Sequence, residues 1–312
     1  MARVRFAILI AAMSFLPLPA RAQVTLAVKR LPGRTTQRTE RTVVEHIFDV
    51  MGMKVEIAED TTTVLTDTVG QTGVGGETPV TVRYDAIAQT KRDVQGPVLR
   101  YDSRKRNSKT DDWSFNLLIE GFDATIGTEL TYRFATNGAV ASVDGLEATL
   151  QRLPRSVAHA LRTQLKSARL MADRQQEIDR LPTDPVNAGD TWLRTEVLAT
   201  NMGIFVVERQ YEYAGVTRQD GRSFDHIRFS DRSIAQPASP NPAEPELVSY
   251  DNLKIQSSEG TLLFDREAGE TVECDASLRF TGVLKSPSEN GDFSAEMDIS
   301  ILRSTRVAPV RE

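Results

Sequence analysis

With one cysteine and three histidines in 312 residues, this chain has few of the side chains that usually carry catalysis. Cys274 has no partner for an internal disulfide. Its place in the alternating run Val272, Cys274, Ala276, Leu278, Phe280 predicts a buried thiol packed as a small hydrophobe. His46, His159 and His226 lie far apart, no two at ligand spacing, which argues against a zinc site of His and Cys type. Long apolar runs are also scarce. The one at Phe6 to Pro19 falls short of the roughly 20 residues that span a bilayer and is broken by Pro17 and Pro19. No Gly-x-Ser-x-Gly elbow, phosphate-binding loop or dinucleotide fingerprint occurs. The glycine-rich stretch 70–76 joins two strand-like runs with no helix after it, and so reads as a hairpin loop. No catalytic, cofactor-binding or metal-ligating residue is assigned, and a non-enzymatic protein that needs no cofactor is expected.

What is present begins with an address. Arg3 and Arg5, the apolar run and the small residues of Ala20-Arg21-Ala22 form a signal peptide pattern with cleavage after Ala22. The only cysteine stands far from this leader, so no lipid anchor is expected. The mature chain, 23–312, is then periplasmic or secreted, with no transmembrane segment. It carries a net charge of −8, without the concentrated basic footprint of a nucleic-acid binder.

Period-two alternation dominates that mature chain. Val80, Val82, Tyr84, Ala86 and Ala88 form one face of a half-buried antiparallel strand, and Leu130, Tyr132 and Phe134 repeat the pattern before the turn pair Asn137-Gly138. Further strands are expected around Met53 to Ile57, Phe205 to Tyr213 and Phe293 to Ile301. Asp220-Gly221 gives a second hairpin signal. Roughly ten to fourteen strands result. Acid pairs that could do general acid and base work, Asp111-Asp112 and Glu208 with Glu212, read as solvated outward groups.

Between Leu146 and about Asp179 the spacing turns helical. Leu146, Leu150 and Leu153 form a first piece that Pro154 should end. Val157, Leu161, Leu165, Ala168 and Ala172 form the apolar stripe of a second. Opposite them Arg155, His159, Arg162, Lys166 and Arg169 would share one face, a candidate surface for an anionic partner, although a solvated polar face has the same pattern. The segment from Leu181 to Trp192, with Pro182, Pro185 and a Gly189-Asp190 turn, reads as a hinge that ends in a core anchor. The four prolines between Gln236 and Pro245 predict an irregular surface crossing.

The expected fold is mainly β (α+β): antiparallel sheets with a central amphipathic helical segment. Leu99-Arg100-Tyr101-Asp102-Ser103 is echoed by Val248-Ser249-Tyr250-Asp251-Asn252, and Gly127-Thr128-Glu129-Leu130 by Gly260-Thr261-Leu262-Leu263. A duplication would place two quasi-repeated curved sheets or half-barrels at 36–145 and 188–284, joined by the helix and linker at 146–187. Chance similarity is the competing reading.

Tyr101-Asp102-Ser103, Asn137-Gly138-Ala139-Val140 and the segment Leu181 to Trp192 together resemble a family of uncharacterised secreted bacterial β-rich proteins. The resemblance covers most of the mature chain. It implies a fold, and no activity or catalytic residue. Two non-enzymatic roles stay open: a carrier that encloses a lipid or other apolar ligand, and a structural or adaptor module for an envelope protein or cell-wall partner. A hydrolase built on an unrecognised carboxylate site is the third possibility.

Overall fold

Tight turns set the register of the sheet. Asp220 and Gly221, at φ of 52° and 79°, join Gln219 directly to its cross-strand partner Arg222. Met51 and Gly52, at 54° and 82°, do the same for Val50 and Met53. Both are two-residue turns whose twist matches that of the strands. The computed structural model describes residues 23–93, 98–105, 110–153, 155, 158, 166–200, 203–237, 248–286 and 293–310.

The strands are β1 (Thr35–Val50), β2 (Met53–Val69), β3 (Thr78–Asp93), β4 (Leu99–Asp102), β5 (Glu129–Phe134), β6 (Val140–Asp144), β7 (Thr191–Thr200), β8 (Gly203–Gln219), β9 (Arg222–Ala235), β10 (Ser249–Asp265), β11 (Glu270–Ser286) and β12 (Phe293–Pro309). The helices are α1 (Trp113–Thr125), α2 (Leu146–Arg152) and α3 (Ser167–Asp179). All twelve strands form one antiparallel sheet in the order β6-β5-β3-β2-β1-β12-β11-β10-β9-β8-β7, with β4 paired to β3. The expected mainly β, antiparallel fold is therefore present, but as one continuous sheet and not two. The first and last strands pair over fourteen positions, from Thr36↔Pro309 to Asp49↔Glu296, and so join the halves. The echoed motifs occupy unlike places: Gly127 precedes β5, whereas Gly260 sits inside β10.

The alternation reads correctly on most strands. Phe205, Val207, Tyr211 and Tyr213 are buried with Phe229, Phe280 and Ile299, while Glu208 is exposed. On β3 a bulge opposite Val64 and Leu65 breaks the expected single face, so Tyr84 and Ala86 point to opposite sides. Leu65, Val80 and Val82 pack with Leu170 and Ile178 of α3, and Ile87, Leu99 and Tyr101 pack with Phe115 and Ile119 of α1. The helices thus cover the same inner face. Asp112 caps α1 by accepting from the Ser114 and Phe115 amides. Helix α2 ends at Leu153, whose extended backbone suits the proline after it.

The segment 181–192 is anchored, not a free hinge. Val186 bridges Val24, and Leu181, Val186 and Leu26 are buried against Tyr211 and Phe264. The glycine-rich segment 70–76 is the β2–β3 hairpin loop, as expected. Beyond Pro237, the proline-rich crossing lies outside the described residues.

Candidate functional site

The chain order of the strands makes β6 and β7 neighbours in sequence and opposite edges in space. Helix α3 stands between them. Its Gln175 Oε1 accepts from Val140 N of β6 at 2.8 Å, and its Gln176 accepts from Val197 N at 2.7 Å and donates to Val197 O at 3.2 Å on β7. An α-helix is about 10–12 Å across with its side chains, so the open sheet curves enough to bring both edges to one helix. The end of α3 is tied down from β7. Arg194 donates to Asp179 O and Leu181 O, and Trp192 Nε1 donates to Arg180 O at 2.8 Å. These bonds occupy carbonyls that a helix end leaves without intrahelical partners. Trp192 is only half-buried but stacks on Tyr211 at 5.6 Å.

Around this seam the inner face carries charge. Arg209 holds Asp231 through two bonds of 2.6 and 3.2 Å and reaches Glu196 at 3.1 Å. Tyr211 donates to the other oxygen of Glu196, and Ser258 donates to Asp231 at 2.9 Å. Nearer the centre of the sheet, Glu177 of α3 accepts from Arg174 at 2.6 Å and from Arg38 at 3.1 Å, and Arg174 also donates to Asp67 at 3.0 Å. Burial opposes the charge on Glu177, but Arg174, Arg38 and Arg180 outweigh it and hold the carboxyl below its ordinary range. Burial and then Glu196 push the Tyr211 hydroxyl far up. Burial and the nearby Arg174 pull Arg30 down to about 10. Arg303 is also lowered, first by burial and then by Arg180 and Arg209.

Three recesses border these residues. One of about 170 Å³ lies between the N-terminal strap and α3, lined by Arg30, Arg38, Asp67, Arg174 and Arg180 among others. A second, about 270 Å³, lies where β1, β2 and β12 face the end of β7, with Thr42, Thr61, Thr200 and Arg303 in its wall. The largest, about 660 Å³, crosses the outer face, where Arg41, Val43, Arg228, Thr261, Ser277 and Leu302 line it.

Of the five cations read from the sequence, three lie among the described residues. Arg155 is exposed after α2, Lys166 has extended backbone (φ −91°, ψ 139°) as the residue that begins α3, and Arg169 lies in the first turn of α3, 3.9 Å from Asp173. Lys166 thus stands before α3 and Arg169 within it. His159 and Arg162 lie outside the described residues. Cys274 is half-buried on the inner face against the Tyr211 cluster, and burial pushes its thiol up. His46 is buried and stacked on Phe48. Glu212 faces outward and pairs with Arg228 at 2.6 Å. Among the described residues no three His, Cys, Asp or Glu side chains converge as metal ligands, and no helix is long and apolar enough to cross a membrane.

Sequence reasoning missed the charged seam. Arg209 continues the Phe205, Val207, Tyr211, Tyr213 face, and Arg303 occupies the next inward position after Ala295, Met297, Ile299 and Ile301. A lone arginine in an otherwise apolar alternating face was the available signal.

No curated protein matches this chain. Among solved structures it is similar to lipovitellin, in a structure described by its lipid–protein interactions, at 6% identity and a TM-score of 0.43, covering 91% of this chain. This chain spans 26% of that one. It is also similar to an outer membrane channel from Pseudomonas putida F1 at 10% identity, with 91% of this chain and 98% of that one covered and a TM-score of 0.20. A DUF1329 family protein from Desulfovibrio piger shows 7% identity, coverages of 88% and 85%, and a TM-score of 0.12. None of these likenesses reaches a TM-score of 0.5. Residues 75–220, which contain β3 to β8, match the model of a family described as "Family of unknown function (DUF6263)", and over that stretch the expected kinship with an uncharacterised family holds.

Proposed function

We propose that this is an exported, non-enzymatic module of the cell envelope that binds a protein or cell-wall partner at its surface, and not a carrier that encloses an apolar ligand. One observation carries this reading: the inner face of the sheet is filled. Among the described residues, helices, aromatic clusters and paired charges occupy it, and the recesses of about 170 and 270 Å³, like one of about 550 Å³ beside Lys29, Asp225 and Arg266, are lined largely by charged and hydroxyl side chains. A pocket for an apolar ligand is instead lined mainly by apolar side chains. The larger recess, about 660 Å³, opens outward instead. In this reading the sheet is a half-barrel stoppered by α3, and its outer face is the working surface.

The non-enzymatic part rests on the pairing of the inner carboxylates. Glu196, Asp231 and Glu177 are each held by at least one arginine within 3.1 Å, so none is set up as a proton carrier. Native mass spectrometry of residues 23–312, purified gently from the envelope of the source cell, tests the reading. The expected result is the mass of the polypeptide alone, with crosslinking in the intact envelope joining the outer face to a partner. A lipid that co-purifies and is lost on unfolding would overturn it.

A further inference from the structure

Arg303 is a cation held in no ion pair among the described residues. Its Nη2 donates to Ala199 O across the seam at 3.0 Å, its Nε is sealed from solvent without a hydrogen-bond partner, and no carboxylate among the described residues lies within 4.0 Å of it. Glu196, Glu40 and Asp173 act on its charge from farther off, but each pairs with another arginine. Arg209 and Arg180 already share Glu196, and Arg209 takes Asp231. A buried cation left in this state is costly.

The register places hydroxyls beside it. Arg303 is the cross-strand partner of Thr42, and Thr42 of Thr61, so the three form one inner-face row across β12, β1 and β2. Thr61 Oγ1 accepts from Gln89 Nε2 at 3.1 Å, which leaves its own proton to donate elsewhere. All three side chains line the cavity of about 270 Å³, together with Val44, Ala199 and Glu59. Glu59 is already matched by Lys91 at 2.8 Å. The wall therefore offers one guanidinium held in no ion pair and two hydroxyl donors beside a paired acid. That set complements a single negative charge spread over oxygens and disfavours a doubly charged ion.

We propose that Arg303, Thr42 and Thr61 seat the end group of a small organic monoanion, a carboxylate or a phosphodiester, in the cavity between β1, β2, β12 and the end of β7. This site is independent of the partner-binding reading above. Occupancy would give Arg303 an ion pair at the seam, so a ligand of this class stabilises the fold with the logarithm of one plus its concentration over its Kd.

The test is titration of the intact mature chain with propionate and, separately, dimethyl phosphate, at constant ionic strength with chloride as the control, read by thermal unfolding and by ligand-observed NMR. At least one probe is expected to raise the Tm of the wild-type protein. Arg303→Met should weaken that binding by about tenfold or more, the loss expected for a charged hydrogen bond. Arg303→Lys should retain part of it, and Thr61→Val should weaken it several-fold. Which probe binds tells a carboxylate from a phosphodiester. Equal binding by the wild type and Arg303→Met, no binding of either probe, or chloride binding as well as both would each overturn the proposal. If Arg303→Met does not fold, Thr42→Val and Thr61→Val, which keep the cation in place, decide it: unchanged binding in both overturns the site.

Discussion

Gln175 and Gln176, adjacent on α3, hold opposite edges of one twelve-stranded sheet: Gln175 binds Val140 of β6 and Gln176 binds Val197 of β7. Edge strands present unpaired backbone groups that invite other chains. Here two neighbouring side chains occupy part of both edges at once. Gln176→Ala should lower stability by about 1 kcal/mol, the net worth of an ordinary hydrogen bond. It should also speed exchange of the Val197 amide. Urea unfolding and hydrogen–deuterium exchange measure the two effects, and unchanged exchange at Val197 would contradict the capping role.

The charge cluster around Arg209 predicts unequal losses. Tyr211→Phe removes one hydrogen bond to Glu196, which keeps its contact with Arg209, and should cost roughly 1.5–3 kcal/mol. Arg209→Met leaves the buried Asp231 without its ion pair and Glu196 with Arg180 alone, and should cost roughly 3–5 kcal/mol. It also removes the guanidinium that lies 4.5 Å over the Phe229 ring. Denaturant unfolding of both variants checks the order. A smaller loss for Arg209→Met than for Tyr211→Phe would mean that the ion pairs contribute little.

Gly260 is required by a ring. A Cβ there would come within 2.2 Å of two Phe229 ring atoms and 2.8 Å of Asp275 O. Phe229 is itself held by Tyr211 at 5.3 Å, so it has little room to retreat. Gly260→Ala should therefore destabilise by roughly 1–3 kcal/mol through overpacking. Combining it with Phe229→Leu should recover part of that loss, and thermal unfolding of the single and double variants would reveal additive costs if the clash were elsewhere.

Stability should fall with acidification in two stages. His226 has a folded pKa below its ordinary 6.5, first through burial and then through Arg228. A depressed value means that the unfolded chain binds the proton more readily. The contribution is thus present above pH 6.5 and lost as pH drops through the folded value. Glu177, depressed below 4.5, follows the same sign at lower pH: its contribution is full above 4.5 and disappears as pH falls through the folded value. Its side chain keeps 42% exposure, so solvent screens this contribution. Urea midpoints should hold near neutrality and decline below about pH 6.5, with His226→Gln flattening the upper stage and Glu177→Gln the lower.

Local chemistry in the chain determined the strands and turns of this protein. Alternation such as Phe205, Val207, Tyr211, Tyr213 needs only the period of the backbone, and Asp220-Gly221 needs only residues that tolerate positive φ, so both are visible without a partner strand. The break before Pro154 is local in the same sense. What joins the elements is not. The β1–β12 pairing connects residues about as far apart as the chain allows, and no short-range pattern encodes it. It makes one sheet where a duplication would have given two, and places β6 and β7 at opposite edges, where α3 reaches both. The roles of Arg209, Glu196 and Arg303 follow from that closure. Each is a single charged residue on a strand, and only tertiary structure decides that it faces inward, away from water, with ion pairs for Arg209 and none among the described residues for Arg303.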